Sequence, residues 1–254
     1  MSLPAPHRGE RHALEARRQH GLGDAGPLDV LEVAEERFNV PVLIERFNDE
    51  QIAGVLLRRA GGDSFVGINA DHHTVRQRFT LAHELGHLHM GHQARVDLAT
   101  DVFGAGSSPE ESEANYFAAE FLAPRAVVRA WLEKRDLGEQ AEDASTVAWL
   151  AMEFGISLPA ACYRLQRAGA IGNTAKRRLV KELAVNYRDY LQIHAAHRLS
   201  DSLQMIWQGA MYPRVPRQTA SYAARARAAG LIDQAEYDAI VATSPGIDFA
   251  DWIS

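Results

Sequence analysis

Residues 78–92, RFTLAHELGHLHMGH, decide how the rest of the chain is read. Within them lies the pattern HExxH, formed by His83, Glu84, Leu85, Gly86 and His87. Leu81, Ala82, Leu85 and Leu88 supply one apolar side at helical spacing, which predicts a helix from Thr74 to about Gly91. Positions four apart share a helix face, so both imidazoles can reach one ion at about 2.0–2.1 Å. Glu84 stands about 60° round the axis from His87, close enough to a water on that ion without being a ligand itself. Hydrolysis needs this arrangement, because zinc lowers the pKa of bound water from 15.7 to about 7 and a neighbouring carboxylate then takes the proton. Two histidines on an otherwise apolar helix also call for a partner, since buried polar groups are costly when left alone.

A catalytic zinc wants a third protein ligand and one open position. The extended pattern HExxHxxGxxH is absent, with Met90 and Gln93 at the relevant places. By the helical wheel His92 falls opposite the metal face and His89 also points away, so both read as surface or packing histidines. The next helix, SPEESEANYFAAEFLAP, is the better supplier. Ala114, Phe117, Ala118, Phe121 and Leu122 form its apolar arc, with Glu111 on the margin and Asn115 one turn later on the same side. Glu113 and Glu120 point the other way. Glu111 can therefore turn inward as the third ligand, and Asn115 can hydrogen-bond the outer edge of a ligating ring. Ser108 to Glu111 also spells a capping box, in which Glu111 would serve only the helix start. The ligand role is favoured because two histidines alone would leave the site incomplete.

Working outward, PLDVLEVAEERF at 27–38 suggests an amphipathic helix opened by Pro27. Three β-prone runs follow, PVLIERF from Pro41, IAGVLLRR from Ile52 and SFVGIN from Ser64, which read as a small antiparallel three-stranded sheet. Helical periodicity resumes at 109–122, 124–135, 145–154 and 159–168. Strands first and helices after make an α+β fold, with a sheet packed on a helical core. A linker near Gly172–Thr174 divides a domain at 1–172 from an all-helical extension at 173–254.

The chain has 254 residues, 46% hydrophobic and 24% charged, an ordinary globular composition. A net charge of −6 argues against a protein that coats nucleic acid, which needs a dense field of Lys and Arg. Cys162 is the only cysteine, so no internal disulfide is required. The first 26 residues lack the apolar core of a signal peptide, and no stretch approaches the roughly 18 apolar residues of a membrane span. Cytoplasmic residence is the expectation.

From RFTLAHELGH to ESEANYFAAEFLAP the chain resembles the ImmA/IrrE family of metallopeptidases, over roughly residues 10–171. The family pattern sets Glu at the first position of ExxAN, here Glu111, in agreement with the helical-face reading. The resemblance implies a zincin-type fold with one catalytic Zn²⁺, in a bacterial or phage-related enzyme. It also implies a site-specific cut in a helix-turn-helix transcriptional repressor, relieving repression after stress or an inducing signal. Many relatives carry an N-terminal DNA-binding domain, whereas only about 26 residues precede the first clear helix here.

Two further segments bear on rival functions. Residues 145–171 have the outline of a helix-turn-helix, but the second helix offers only Arg164 and Arg167 as cations, which favours packing or substrate docking over DNA contact. AKRRLVKEL at 175–183 clusters Lys176, Arg177, Arg178 and Lys181, read first as a solvated helix face and second as a partner- or phosphate-binding patch. The rivals to an enzyme are a non-catalytic metal-binding sensor and a DNA-binding regulator; Glu84 speaks against the first. Tyr116, Tyr163, His72 and His73 are unranked candidates for a second oxyanion donor. Substrate is expected to lie extended along a sheet edge.

Overall fold

A computed structural model describes residues 4–24, 26–47, 49–58, 64–92, 95–98, 108–185, 223–224, 227–228 and 233–242. The α+β class expected from the sequence is what the chain adopts. The helices at and after the motif fall close to where periodicity puts them: α3 at Thr74–Met90, α4 at Pro109–Leu122, α5 at Arg125–Lys134, α6 at Ala144–Phe154 and α7 at Leu158–Arg167. Helix α2, Val30–Glu32, runs into a π-helical turn, Val33–Arg37, and is opened by Asp29 rather than Pro27. The Asp29 carboxylate accepts from the backbone N–H groups of Leu31 and Glu32, the usual service of an N-cap.

The sheet is richer than the three antiparallel strands expected. Strands β1, β2 and β3, at Val42–Glu45, Ile52–Arg58 and Ser64–Asn69, are joined by a fourth, β4, at Arg95–Leu98, in the order β1-β3-β2-β4. Strand β3 pairs antiparallel with β2 but parallel with β1, so the sheet is mixed. The cause lies in Asn69, at the end of β3. Its amide nitrogen donates to the carbonyls of Asp49 and Ile52, both at 2.9 Å, and its oxygen accepts from the N–H groups of Phe47 and Asp71. The β1–β2 connection is thereby held over the end of β3, which sits between the strands that connection joins. Strand β4 continues the sheet beyond β2, antiparallel, with a register irregularity between Ile52 and Gly54.

A helix that the sequence reading did not foresee precedes all of this: α1, Ala5–Gln19. Its buried stripe is made of Gly9, Ala13 and Ala16 together with the charged Glu10 and Arg17, so no run of large apolar residues marks it in the sequence. Charge fixes it instead. Arg17 donates to the Phe121 carbonyl at 2.7 Å and to the Gly23 carbonyl at 3.0 Å, while Glu10 pairs with Arg167. At Gly9 a Cβ would fall 2.2 Å from the Glu113 carbonyl oxygen, so α1 crosses α4 at a distance only glycine allows.

Helices α6 and α7 meet at a bend of 101°, turned by Gly155 in the left-handed region. Arg78 of α3 reaches into this corner and donates to the carbonyls of Leu28 at 2.8 Å and Gly155 at 3.2 Å. Burial pulls its pKa down to about 10. The two cations weighed for DNA contact are turned inward: Arg164 is buried against Glu120 and the Ala123 carbonyl, and Arg167 pairs with Glu10 beside the Tyr116 ring. Helix α8, Asn173–Val185, lies where the C-terminal extension is expected to begin and buries Ala175, Leu179 and Leu183 in the common core. On its other side Arg177 and Lys181 are exposed, while Lys176 lies over Tyr163 and Arg178 pairs with Glu142 and Glu182. Apart from α8, short pieces at 223–224 and 227–228, and α9 at Gln234–Ala242, the expected extension lies outside the described residues. Among the described residues no single helix is long and apolar enough to cross a membrane.

Candidate metal centre

Helix α3 contributes His83, Glu84 and His87, and α4 contributes Glu111 and Asn115; all but Asn115 are almost wholly buried. Gly86 governs how close the two helices come. A Cβ there would meet the Phe117 ring at 2.9 Å, so the glycine inside the motif lets α4 lie directly on α3. The stacked rings of Phe117 and Phe121, 5.3 Å apart, fill the space beneath.

Three side chains converge as a result. His83 Nε2 and His87 Nε2 are 2.9 Å apart, and the Glu111 oxygens lie 3.2 Å from the first and 3.3 Å from the second. Tetrahedral zinc bonded at about 2.0–2.1 Å sets its ligands roughly 3.3–3.4 Å apart, so the triangle is close to the size such an ion requires. The protonation pattern agrees. His83 Nδ1 faces the Asn115 side-chain oxygen at 3.1 Å and must donate to it, which leaves the Nε2 lone pair pointing into the triangle. Two imidazole lone pairs and a buried carboxylate facing one another form a donor set suited to a cation. The capping box is half made: Ser108 Oγ accepts from the Glu111 backbone N–H at 3.3 Å, while the Glu111 carboxylate turns to the imidazoles.

The structure corrects one reading from the helical wheel. His92 does not lie opposite the metal face: its Nδ1 is 2.8 Å from His87 Nδ1. The wheel stops applying at Gly91, which adopts φ 76° and ends α3. The chain then folds back, with Gly91 N–H donating to the Leu88 carbonyl and His92 N–H to the His87 carbonyl, the double bond of a Schellman turn. Glu113 and Glu120 point away from the metal triangle, as the wheel has it, and both are buried. Glu113 holds Arg8 and faces His92, and Glu120 holds Arg164.

Glu84 projects against strand β2. A Cβ at Gly54 would fall 2.6 Å from Glu84 Oε1 and 2.7 Å from the Thr80 methyl, so the strand leaves room for the carboxylate only because residue 54 has no side chain. The four oxyanion candidates have other engagements. His72 Nε2 is 2.9 Å from the Glu50 carbonyl, His73 caps the start of α3, Tyr116 lies beside Arg167, and Tyr163 is exposed under Lys176. A second group of possible donors, His12, Glu15 and His89, has its atoms within 4.8 Å of one another. It is half exposed, and the Arg11 guanidinium already lies 3.4 Å from His12 and 3.6 Å from Glu15. Of these two groups among the described residues, the triangle of His83, His87 and Glu111 is the buried one.

The sequence profile of a peptidase family, described as the IrrE N-terminal-like domain, matches residues 35–166, just over half of the chain. The chain belongs to that family. The IrrE-like span contains the donor triangle, Glu84, Asn115, His92 and Glu113, and leaves α1 outside. A solved structure of a "Mycobacterium tuberculosis transcriptional regulator" is similar at 20% identity and a TM-score of 0.36, over 63% of this chain and 46% of that one. The present chain thus matches less than half of that regulator's length. No curated protein matches.

Proposed function

We propose that the chain is a zinc-dependent endopeptidase in which His83, His87 and Glu111 hold the ion and Glu84 is the general base. The observation that carries this reading is the buried donor triangle, sized for a tetrahedral ion, with a second carboxylate on the same helix. The ion would supply Lewis-acid chemistry, acidifying water and polarising the scissile carbonyl. Glu84 takes the proton of the attacking water and returns it to the departing amine. Asn115 keeps the His83 ring in the tautomer and orientation that ligation needs. The substrate lies extended against β4, because Gly54 of β2 lies against the Glu84 carboxylate and β4, beside β2, is an edge strand of the sheet among the described residues. Backbone hydrogen bonds along that edge would align the peptide.

Belonging to a peptidase family supports proteolysis, and we propose a helix-turn-helix transcriptional repressor as the substrate, cut at one site in the cytoplasm. Incubating the purified chain with the repressor encoded beside it, with and without a chelator, tests this by mass spectrometry. A single defined pair of fragments is expected with metal, none after chelation, and recovery on adding zinc. Cleavage undiminished by a chelator that has stripped the metal would overturn the reading. Retardation of DNA at physiological salt, with no fragments, would favour the DNA-binding regulator instead.

Gly54→Ala is expected to lower kcat about 10²-fold while zinc stays bound, since an ångström of misplacement at a reacting group has an effect of this order. Metal content and steady-state kinetics on the same preparation check it.

A further inference from the structure

A line of four side chains runs from the metal triangle to the N-terminal helix: His87, His92, Glu113 and Arg8. His87 Nδ1 lies 2.8 Å from His92 Nδ1, His92 Nε2 lies 3.5 Å from one Glu113 oxygen, and Arg8 Nε donates to the other at 2.8 Å. Only one arrangement of protons on the two rings satisfies every member when the imidazoles are neutral. His87 Nε2 faces His83 and Glu111 and must present a lone pair to an ion there, so its proton is on Nδ1. That N–H donates to His92 Nδ1, and the His92 proton is therefore on Nε2, directed at the Glu113 carboxylate. The Arg8 guanidinium holds that carboxylate in place from the far side, through a second contact from its terminal nitrogen as well.

We propose that His92 is a positioning residue for the metal, orienting His87 as Asn115 orients His83. We further propose that Arg8, acting through Glu113, makes helix α1 part of the centre although it lies outside the family's matched span. Gly9, beside Arg8, packs so tightly on α4 that an added Cβ would meet the Glu113 carbonyl oxygen at 2.2 Å. The same crossing therefore delivers the guanidinium to its carboxylate. This rests on the metal reading above, and the following comparison separates the two.

Zinc affinity is measured at fixed pH by competition with a chromogenic chelator, for the full chain and for His92→Asn, His92→Leu and Arg8→Met, together with the melting temperature of each metal-free form. Asn and Leu have nearly the same shape, but only Asn offers an oxygen near the place of His92 Nδ1. His92→Leu is expected to weaken zinc binding about 10–100-fold, His92→Asn to recover most of it, and Arg8→Met to weaken it in the same direction by less. A purely structural role would lower the metal-free melting temperature of the Leu and Asn variants alike and leave their zinc affinities equal, which overturns the role of His92. Unchanged zinc affinity in Arg8→Met overturns the part assigned to α1. A wild-type chain that binds no stoichiometric zinc defeats the metal reading itself, and this proposal with it.

Discussion

Glu84→Gln is expected to retain one equivalent of zinc and to lose 10²–10⁴-fold in the rate of repressor cleavage, the range that a positioned acid-base group contributes. The substitution keeps the size of the side chain, so the fit against Gly54 and Thr80 is preserved. What it removes is the ability to take a proton from water. Retention of the metal follows from geometry, because the three converging donors belong to His83, His87 and Glu111. Metal analysis by mass spectrometry and single-turnover cleavage, run on one preparation, separate the two effects. A variant that cleaves at the wild-type rate would show that the base lies elsewhere.

The second large effect is on stability. The pair Glu120–Arg164 is buried on both sides, and the Arg164 guanidinium also donates to the Ala123 carbonyl at 2.7 Å. Glu120→Gln leaves Arg164 buried without its countercharge, a change that typically destabilises by about 3–5 kcal/mol. For a chain of this size that corresponds to a fall of roughly 6–20 °C in melting temperature. The double variant Glu120→Leu with Arg164→Met is expected to regain most of the loss, since removing both charges also removes their desolvation. Thermal melts of the single and double variants check both statements. A single variant that melts within a degree of wild type would mean that water reaches the pair.

This ion pair also shows what could and could not be read from the sequence. The sequence favoured packing over DNA contact for Arg164 but could not name its partner, which lies 44 positions away on another helix and leaves no local trace. The motif helix, its neighbour and the helices after them were legible, since each has a sustained apolar period that one element suffices to express. Helix α1 was not, because it is held by Glu10, Arg17 and a row of small residues rather than by an apolar stripe. The place of β3 between β1 and β2 was hidden for a similar reason: hydrogen bonds of Asn69 set it, while alternation in each strand reports only that the strand exists. Strand β4 left a faint sign in the alternation of Arg95, Val96, Asp97 and Leu98. His92 was misread because wheel arithmetic was carried past the glycine that ends the helix.

HExxH leaves two letters blank, yet in this chain the second blank is spoken for. With the Phe117 ring 2.9 Å from where a methyl group on residue 86 would stand, anything larger than hydrogen must wedge the two helices apart. The carboxylate on one would then draw back from the imidazoles on the other. A degenerate position in the pattern thus acts as a spacer of zero thickness, and the spacing of the donor triangle is calibrated by a residue that is no part of it.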